Sequence, residues 1–241
     1  MPRFHVPTPL AASATLSLPA GAARHAQVLR LQPGDAVVLF DGVGGEWAAH
    51  ITRMGRSDVD VQVSAHHSVE REAPRAVTLA TGMMSADRMD WLVEKATELG
   101  VVQLQPVLAE RSSLRLDGER AQRKQQHWQA VAVSACEQSG RNRLPTVHAP
   151  QAMRAFLRDA AGASSARWLL SLDAEALPLR AALCDLPSAQ PVIVLSGPEG
   201  GLSPDEEAAA RAAGFVPVSL GHRVLRAETA PLAALSALTL V

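Results

Sequence analysis

A glycine-rich segment near the C-terminal end of the chain precedes a well-defined helix start. The apolar run 191–197 leads into 197–201, which reads Gly-Pro-Glu-Gly-Gly, and Ser203, Pro204 and Glu206 then form the pattern of a capping box. Three glycines within five positions cost backbone entropy on folding, and a simple connector does not need so many. The segment therefore predicts a loop whose backbone approaches a ligand at the carboxyl end of a parallel strand, with a tight turn as the alternative.

A second segment, 219–235, places charged side chains between a predicted strand and the last helix. It leaves the strand through Gly221, carries Arg223 and Arg226, and enters a helix around the Glu-Thr pair at 228–229. Charged groups at a strand exit are hard to explain as scaffold, so this segment is the second part of the candidate site. A cap role for 228–229, where a carboxylate complements the helix dipole, is the alternative.

Several common catalytic and metal-binding patterns do not occur in the sequence. It has no Gly-Lys-Ser/Thr phosphate loop, no Gly-x-Ser-x-Gly elbow and no His-Glu-x-x-His, and His66 and His67 are adjacent rather than at helical ligand spacing. Cys136 and Cys184 lie far apart, which argues against a disulfide scaffold and a zinc site. The segment 42–47, Gly-Val-Gly-Gly-Glu-Trp, suggests a dinucleotide loop, but a predicted strand follows it where that loop needs a helix.

Charge is balanced overall but not along the chain. The 23 basic and 24 acidic residues give a net charge of -1, which excludes a global polyanion-binding field. Between 110 and 143, seven basic side chains stand against four acidic ones, and Arg111, Arg141 and Arg143 fall at the ends of predicted elements. The planar guanidinium binds two phosphate oxygens at once, so these arginines predict contacts with a ligand that carries phosphate, with a solvated helix face as the alternative.

The N-terminal part of the chain has the pattern of a small β unit. The segments 35–42, 46–54 and 58–65 alternate or are β-branched, and glycines between the first two favour a hairpin. The polar stretch 68–76 is interrupted by a proline and predicts a connector. We therefore expect two domains, 1–72 and 73–241.

Beyond residue 76 apolar strands alternate with helices, which predicts an α/β domain with a mostly parallel sheet. The predicted strands and helices, in chain order, are 76–82 (strand), 86–100 (helix), 101–107 (strand), 119–139 (helix), 152–161 (helix), 166–172 (strand), 191–197 (strand), a capped helix from 203, 215–220 (strand) and a final helix. The final helix carries Leu232, Leu235 and Leu238 at helical spacing and is predicted to pack in a core or an interface. No apolar run approaches the length of a membrane span, and a reducing cytoplasm is the expected location.

Several motifs in one order identify a family. They are MPRF at the start, His25 with VLRLQPGD at 28–35, DRMDWLVEKATELGV at 87–101, ERSSLR at 110–115, CEQSGR at 136–141, GPEGGLS at 197–203 and LGHRVLRAETA at 220–230. With these motifs, the chain resembles the bacterial small-subunit ribosomal RNA uridine-N3 methyltransferases, the RsmE type within the SPOUT superfamily. The resemblance runs nearly from end to end.

The resemblance implies a fold, a cofactor and partners. The fold is a PUA-like β-barrel domain that helps to hold RNA, followed by an α/β domain with a deep trefoil knot, a topology that pattern arguments do not reach. The cofactor is S-adenosyl-L-methionine, bound bent among knot loops, and no metal is required. The partners are small-subunit (16S) ribosomal RNA and a second copy of the chain, with no membrane.

The resemblance also implies site residues. Arg223 or Arg226 would stabilise negative charge on the target base, and Glu228 would accept its proton. The residues expected around the cofactor are Leu195, Gly197, Pro198, Glu199, Gly200, Gly201, Leu220, Gly221, Val224, Leu225 and Thr229. Arg3 and His25 join the three arginines named above as expected RNA contacts.

Three other functions stay open at this point. One is a non-enzymatic RNA-binding or ribosome-assembly module, which leaves the two C-terminal segments unexplained. Another is a SPOUT methyltransferase that acts on the ribose 2′-hydroxyl group. The third is a nucleotide-dependent oxidoreductase that uses 42–47, against which the missing helix counts.

Overall fold

The computed structural model describes residues 1–113 and 118–240, and these form two compact units. Unit 1 consists of residues 1–72 and 133–144, and unit 2 takes the remaining described residues. The first change of unit coincides with the predicted boundary, but residues 133–144 belong to unit 1, whereas the predicted division gives them to the second domain. The reason is a set of polar contacts within unit 1, including Asn142 Nδ2 to the Val69 carbonyl at 2.6 Å.

Unit 1 is built on a five-stranded sheet in the order β1-β3-β4-β5-β2. Its elements are β1 (Arg3–His5), β2 (Thr15–Ser17), α1 (Ala20–Val28), β3 (Ala36–Phe40), β4 (Glu46–Met54) and β5 (Val59–His67). β1 pairs with β3 in parallel and the other pairs are antiparallel. The three predicted strands are confirmed as β3, β4 and β5.

The segment 42–47 is the turn of the β3–β4 hairpin. Gly42, Gly44 and Gly45 all have positive φ angles, which glycine adopts without steric cost. Trp47, which follows, lies in β4 opposite Leu39 of β3. Because the chain continues as a strand, no helix N-terminus is available here for a dinucleotide phosphate, and the oxidoreductase alternative loses its motif.

Unit 2 is an eight-stranded sheet in which every pairing among the described residues is parallel. Its elements are β6 (Val77–Gly82), α2 (Ala86–Glu98), β7 (Gln103–Leu108), the first part of α3 (Gly118–Ser139), β8 (Thr146–Val147), β9 (Gln151–Ala152), α4 (Met153–Ala161), β10 (Ala166–Leu170), β11 (Leu177–Pro178), α5 (Leu179–Cys184), β12 (Val192–Ser196), α6 (Pro204–Ala212), β13 (Val216–Ser219) and α7 (Thr229–Thr239). The strand order is β11-β13-β10-β12-β6-β7-β8, with β9 beside β7. The predicted mostly parallel α/β fold is confirmed.

The strands of unit 2 are covered on both faces. Val194 belongs to a buried cluster with residues of α2, α3 and α7, whereas its neighbour Leu195 belongs to a second cluster with α4 and α6. Successive residues of a strand point to opposite faces, so the two clusters are the two layers on either side of the sheet. Leu232, Leu235 and Leu238 of α7 are buried in the first of these clusters, which is the unit's own core.

Threading of the chain through a knot stays a prediction.

No described helix is long and apolar enough to span a membrane. Arg115 and Asp117 of the basic stretch lie outside the described residues, as do the end of the ERSSLR motif and Val241.

Candidate functional site

A cavity of about 350 Å³ opens in unit 2 where three neighbouring strands end. These strands are β13, β10 and β12, which lie side by side in the sheet and point the same way. Open α/β sheets place ligands in such crevices beyond the carboxyl ends of parallel strands. The cavity is also within the size range of small-molecule sites.

Both segments singled out in the sequence line this cavity. The predicted residues found in its wall are Gly197, Pro198, Glu199, Gly200, Gly201, Leu220, Gly221, Arg223, Val224 and Leu225. The wall also contains residues that were not predicted, namely Leu170, Ser171, Leu172, Ser196, Leu202, Glu207, Val218, Ala227 and Ala230. The first three of these are the last residue of β10 and the two residues after it, and none of the three is a glycine or a charged residue that would have marked this segment.

Four predicted site residues are not part of the wall described here. Leu195 is fully buried against α4 and α6, because it points to the opposite face of β12 from its neighbour Ser196. Arg226 is exposed, and its carbonyl accepts the N–H groups of Thr229 and Ala230. Thr229 begins α7, and Glu228 precedes it without a side-chain cap hydrogen bond. Glu228 therefore occupies the N-cap position of α7, as the capping alternative has it, but its carboxylate forms no capping hydrogen bond.

The glycine-rich loop between β12 and α6 is folded tightly. Gly201 N donates to the Pro198 carbonyl at 2.8 Å, and Gly201 has a φ of 70°. A Cβ atom on Gly197 would come within 2.9 Å of the backbone of Gly201 and Leu202, so this glycine is required by the loop itself. The tight turn and the ligand wall are thus properties of the same loop, and the two interpretations of the sequence do not exclude each other.

The helix after the loop begins as predicted. Glu206 N donates to Ser203 Oγ, and Ser203 N donates to Glu206 Oε2 at 2.9 Å, which completes the capping box with Pro204 at the first helical position. Glu206 Oε1 also accepts the backbone N–H of Glu110 at 2.8 Å. The loop is therefore held at its C-terminal end.

Arg111 supports the same loop from outside. Its Nη1 donates to the carbonyl oxygens of Gly200 and Leu202, at 3.2 and 3.3 Å. A Cβ atom on Gly200 would lie 3.0 Å from Arg111 Cβ, so Gly200 leaves room for this arginine. Sequence reasoning assigned Arg111 to RNA, and the structure places it against the cavity wall.

Glu199 is the most connected side chain of the cavity. Its carboxylate accepts the Ser85 N–H at 3.1 Å and the Ser113 hydroxyl at 3.2 Å, and it forms an ion pair with Arg88 at 3.3 Å. Burial alone would raise its pKa, but these hydrogen bonds and the Arg88 charge outweigh burial and lower the pKa of Glu199. Glu199 is therefore ionised at neutral pH.

A second carboxylate lies on the other side of Arg88. The Arg88 Nε atom is 3.9 Å from Glu228 Oε2, and this oxygen is buried with no hydrogen-bond partner among the described residues. Sequence reasoning did not assign Arg88 or Ser85 to the site, although Arg88 lies within the DRMDW motif and Ser85 lies two residues before it. The signal that could have found Arg88 is a charged residue in the first turn of a helix that directly follows a parallel strand.

The cavity wall is suited to a ligand with an apolar ring and polar atoms. Val224 and Leu172 line it with exposed side chains, which is unusual for apolar residues without a partner. Ser196 also lines it, and its Oγ is buried with no partner among the described atoms. A buried hydroxyl of this kind is normally satisfied, so a polar ligand atom would complete it.

Two of the predicted RNA-binding arginines are embedded in unit 1. Arg141 is only 4% exposed, and its Nε and Nη2 donate to the two carboxylate oxygens of Glu72, at 3.1 and 2.5 Å. Arg3 donates to Glu46 at 2.7 Å and lies over the Phe40 ring. Neither guanidinium offers the accessible surface that a phosphate contact needs, because carboxylates already occupy both.

The other two predicted contacts in unit 1 are more accessible. Arg143 is exposed and forms an ion pair with Glu70 at 3.3 Å. His25 is half exposed, and its Nδ1 lies 3.8 Å from Glu137 Oε2. Burial raises the pKa of Glu137, whose other oxygen accepts the His5 N–H at 3.0 Å.

No group of three or more His, Cys, Asp or Glu is arranged for a metal ion within 1–113 and 118–240. Cys136 and Cys184 are both free.

Family comparisons agree with both units. A model described as an RNA methyltransferase domain matches residues 71–239, and one described as an RNA methyltransferase PUA domain matches residues 18–64. The ribosomal RNA small subunit methyltransferase E of Bacillus subtilis is 33% identical over 215 residues, which is 88% of this chain and 84% of that protein. The chain belongs to this methyltransferase E family. The Synechocystis member is 36% identical over 87% of this chain and 67% of its own length.

Two solved structures that contain bound S-adenosylmethionine have the same fold as this chain. The ribosomal RNA small subunit methyltransferase E of Neisseria gonorrhoeae, solved with S-adenosylmethionine bound, is 40% identical with a TM-score of 0.90. A methyltransferase of Legionella pneumophila, also solved with this cofactor bound, is 34% identical with a TM-score of 0.91. Each comparison covers 98% of this chain and 96% of the other. The family predicted from the sequence motifs is confirmed.

Proposed function

We propose that this methyltransferase E family member transfers the methyl group of S-adenosylmethionine to N3 of a uridine in small-subunit ribosomal RNA. The observation that carries the proposal is the cavity at the ends of β10, β12 and β13, with its glycine loop and a Ser196 hydroxyl that has no hydrogen-bond partner in the described part of the chain. The two relatives solved with this cofactor share the fold at TM-scores of 0.90 and above, which supports the choice of ligand.

The wall residues fit this cofactor by their chemistry. Leu220, Val224 and Leu225 would contact the adenine, and the backbone of Gly197, Gly200 and Gly221 would face the ribose and methionine parts. Ser196 Oγ would donate to or accept from a polar ligand atom. When bound, the cofactor supplies a methyl group on a positively charged sulfur, and the protein's main task is then to hold the acceptor atom in line with it.

The chain's own charged groups suit a uridine acceptor. N3 of uridine carries a proton at neutral pH, and its loss spreads negative charge over the two flanking carbonyl oxygens. Arg223 lies in the cavity wall and would stabilise that charge, and Arg226, exposed three residues further on, is the second guanidinium that could do so. We assign the proton-accepting role to Glu228, because its Oε2 has no hydrogen-bond partner among the described residues and a free lone pair is what a base needs.

We further infer that unit 1 contributes to RNA binding and that the enzyme acts as a homodimer. The match of residues 18–64 to the RNA methyltransferase PUA domain supports the first inference. Ribosomal RNA is found in the cytoplasm, so we place the reaction there.

The experiment that tests this function is a methyl-transfer assay with labelled S-adenosylmethionine. The purified protein is incubated with small-subunit ribosomal RNA, naked or in assembled subunits, from a strain that lacks the endogenous enzyme. We expect label in the RNA and 3-methyluridine as the product nucleoside by mass spectrometry. A 2′-O-methylated nucleoside would instead support the ribose methyltransferase alternative, and tight RNA binding with neither cofactor binding nor label would support the RNA-binding module.

A further inference from the structure

The arginines of unit 1 fall into two groups, and the structure describes every residue of this unit. Of its eight arginines, five are paired with carboxylates, namely Arg3, Arg53, Arg71, Arg141 and Arg143. The other three are Arg24, Arg30 and Arg56, whose side chains form no ion pair or hydrogen bond with the described residues, and all three are exposed. Unit 1 also has eight acidic residues, so its charge is balanced in total but unevenly distributed.

The three unpaired arginines are placed around one glutamine. Gln27 of α1 donates from Nε2 to the carbonyl oxygens of Gly55 and Arg56, both at 3.0 Å. Arg24 lies one helical turn before Gln27, and Arg30 lies three residues after it. Gln27 therefore brings the β4–β5 turn against the helix that carries the other two arginines.

The carboxylates closest in sequence to this group are already engaged. Asp58 and Asp60 both bind Arg53, and Asp35 accepts the backbone N–H of Gln32 at 2.7 Å. The charge of the three arginines is therefore left for a ligand. We call Arg24, Arg30 and Arg56 the Gln27 cluster.

Arg30 has a strained backbone, which is a second and independent observation. Its φ is 56°, in the left-handed region that favours glycine. The bonds from Leu31 N to the Ala26 carbonyl and from Arg30 N to the Gln27 carbonyl form a helix-ending motif in which this position is usually glycine. Such strain persists where the side chain is needed, and the exposed Arg30 side chain forms no hydrogen bond or ion pair with the described residues that would account for it.

Apolar side chains adjoin the cluster. Val28 is 73% exposed and Leu29 is 45% exposed, and both lie between Gln27 and Arg30 in the chain. An exposed apolar step flanked by guanidinium groups is suited to a polyanion whose unstacked bases also need contact, which is the chemistry of RNA loops.

We propose that the Gln27 cluster is the RNA phosphate-binding surface of unit 1. This inference rests on the proposed function for its choice of polyanion. It replaces Arg3 and Arg141, whose guanidinium groups are held by carboxylates, with three arginines that were not among the RNA contacts expected from the sequence.

The first test removes the three charges in the full-length protein. We compare R24Q/R30Q/R56Q with the matched control R154Q/R158Q/R180Q, which removes the same charge from the exposed surface of α4 and α5 in unit 2. The probe is naked small-subunit ribosomal RNA in a binding titration at several salt concentrations. For single strands, each phosphate contact contributes about 0.7 to the steepness with which the logarithm of the binding constant falls with the logarithm of the salt concentration. Loss of three contacts should therefore reduce this slope by about 2. The affinity of the cluster variant at 0.1 M salt should fall about a hundredfold.

The control variant should keep the wild-type slope and affinity. An equal loss in both variants would show a general charge effect and overturn the proposal, as would wild-type binding by the cluster variant.

The second test uses Arg30 alone, in the variant R30G. Glycine relieves the left-handed strain, so Tm should rise by about 2 °C, while loss of one phosphate contact should weaken RNA binding about fivefold at 0.1 M salt. A purely structural Arg30 would change stability only, so R30G with unchanged RNA affinity would overturn its assignment.

Methyl transfer by the wild-type protein separates this proposal from the proposed function. If wild type methylates the RNA but the cluster variant binds RNA with wild-type affinity, the Gln27 cluster is not the RNA-binding surface, and the proposed methyltransferase function is still supported. If the cluster variant loses RNA affinity but wild type transfers no methyl group, the proposed methyltransferase function is wrong, and the Gln27 cluster is still supported as an RNA-binding surface.

Discussion

At the scale of the residue, the partners of an arginine decide what it can do. Arg141 holds Glu72 inside unit 1, Arg111 holds a loop of the cavity, and Arg223 lines the cavity itself. In the sequence these residues have the same type and similar positions at element ends. Sequence reasoning grouped Arg141 with Arg111 because type and position are visible in a sequence, while the carboxylate or carbonyl that each one binds is not.

Hydrogen-bond partners also decide which carboxylates can act in the reaction. Hydrogen bonds from Arg71 and Arg3 overcome the effect of burial on Glu46 and lower its pKa to about 2, and Glu199 is held ionised in a similar way. Glu46 and Glu199 are therefore both ionised and held in place by their partners. Glu228 instead keeps an oxygen that accepts no hydrogen bond from the described residues, which is why we assign proton transfer to it rather than to Glu199.

The variant E228Q tests that assignment. Glutamine keeps the size of the side chain but cannot accept the N3 proton, so kcat for methyl transfer should fall about a hundredfold or more. The Kd for S-adenosylmethionine, measured by calorimetry, should stay at the wild-type value because Glu228 is not part of the described cavity wall. The matched control is E175Q, at an exposed glutamate, which should be fully active. A fully active E228Q enzyme would remove Glu228 from the reaction.

At the scale of the element, the ends of the strands and the glycines beside them were predictable from the sequence. The contacts from distant parts of the chain that hold the glycine loop in place were not. The capping box at Ser203 was visible because its residues lie within four positions of each other. The close approach of Gly82 to Pro198 was not, although a Cβ atom on Gly82 would lie 2.3 Å from Pro198 Cδ. That contact joins β6 to a loop more than a hundred residues later, and no local pattern records it.

Short elements escaped prediction for a related reason. β1 and β2 have three residues each, which is too few to show an alternation of apolar and polar residues. α1 is rich in alanine, which packs in the core without forming a strong apolar stripe. Longer elements such as α2 and β4 show their period clearly and were predicted with nearly their final bounds.

The support of the glycine loop by Arg111 leads to a prediction at this scale. R111A removes two hydrogen bonds to the loop carbonyls of Gly200 and Leu202, so the loop becomes less ordered and must be fixed by the ligand. We expect the affinity for S-adenosylmethionine to fall at least about tenfold in a calorimetric titration, since even one hydrogen bond from a charged group contributes about 1.5 kcal/mol or more, and about 1.4 kcal/mol is tenfold in affinity.

R143A is the matched control for R111A, because Arg143 is an exposed arginine of unit 1 paired with Glu70. It should bind the cofactor like wild type. The opposite result for R111A, with weaker RNA binding and unchanged cofactor affinity, would restore the RNA contact that the sequence predicted for Arg111.

At the scale of the whole molecule, the class of the fold follows from the sequence but the strand order does not. Alternating apolar strands and helices predict a mostly parallel sheet, and the sheet of unit 2 is one. Chain order does not predict that β12 lies between β6 and β10, which brings the 197–201 loop beside the end of β10. The cavity depends on this non-local arrangement, so sequence reasoning found two of its three wall segments.

The proposed homodimer gives the last prediction. Trp91 of α2 in unit 2 is 43% exposed, and large aromatic side chains in such positions are typical anchors of protein interfaces. The stripe formed by Leu232, Leu235 and Leu238 cannot form the dimer interface, because it is buried in the core of unit 2. A charge introduced there would unfold the protein. We expect wild type to sediment at twice the chain mass of 25.5 kDa and W91E to sediment as a folded monomer. V43E, which adds the same charge at an exposed apolar position of unit 1, should remain dimeric. A W91E dimer of wild-type stability would place the interface elsewhere, and a monomeric wild type would refute the homodimer itself.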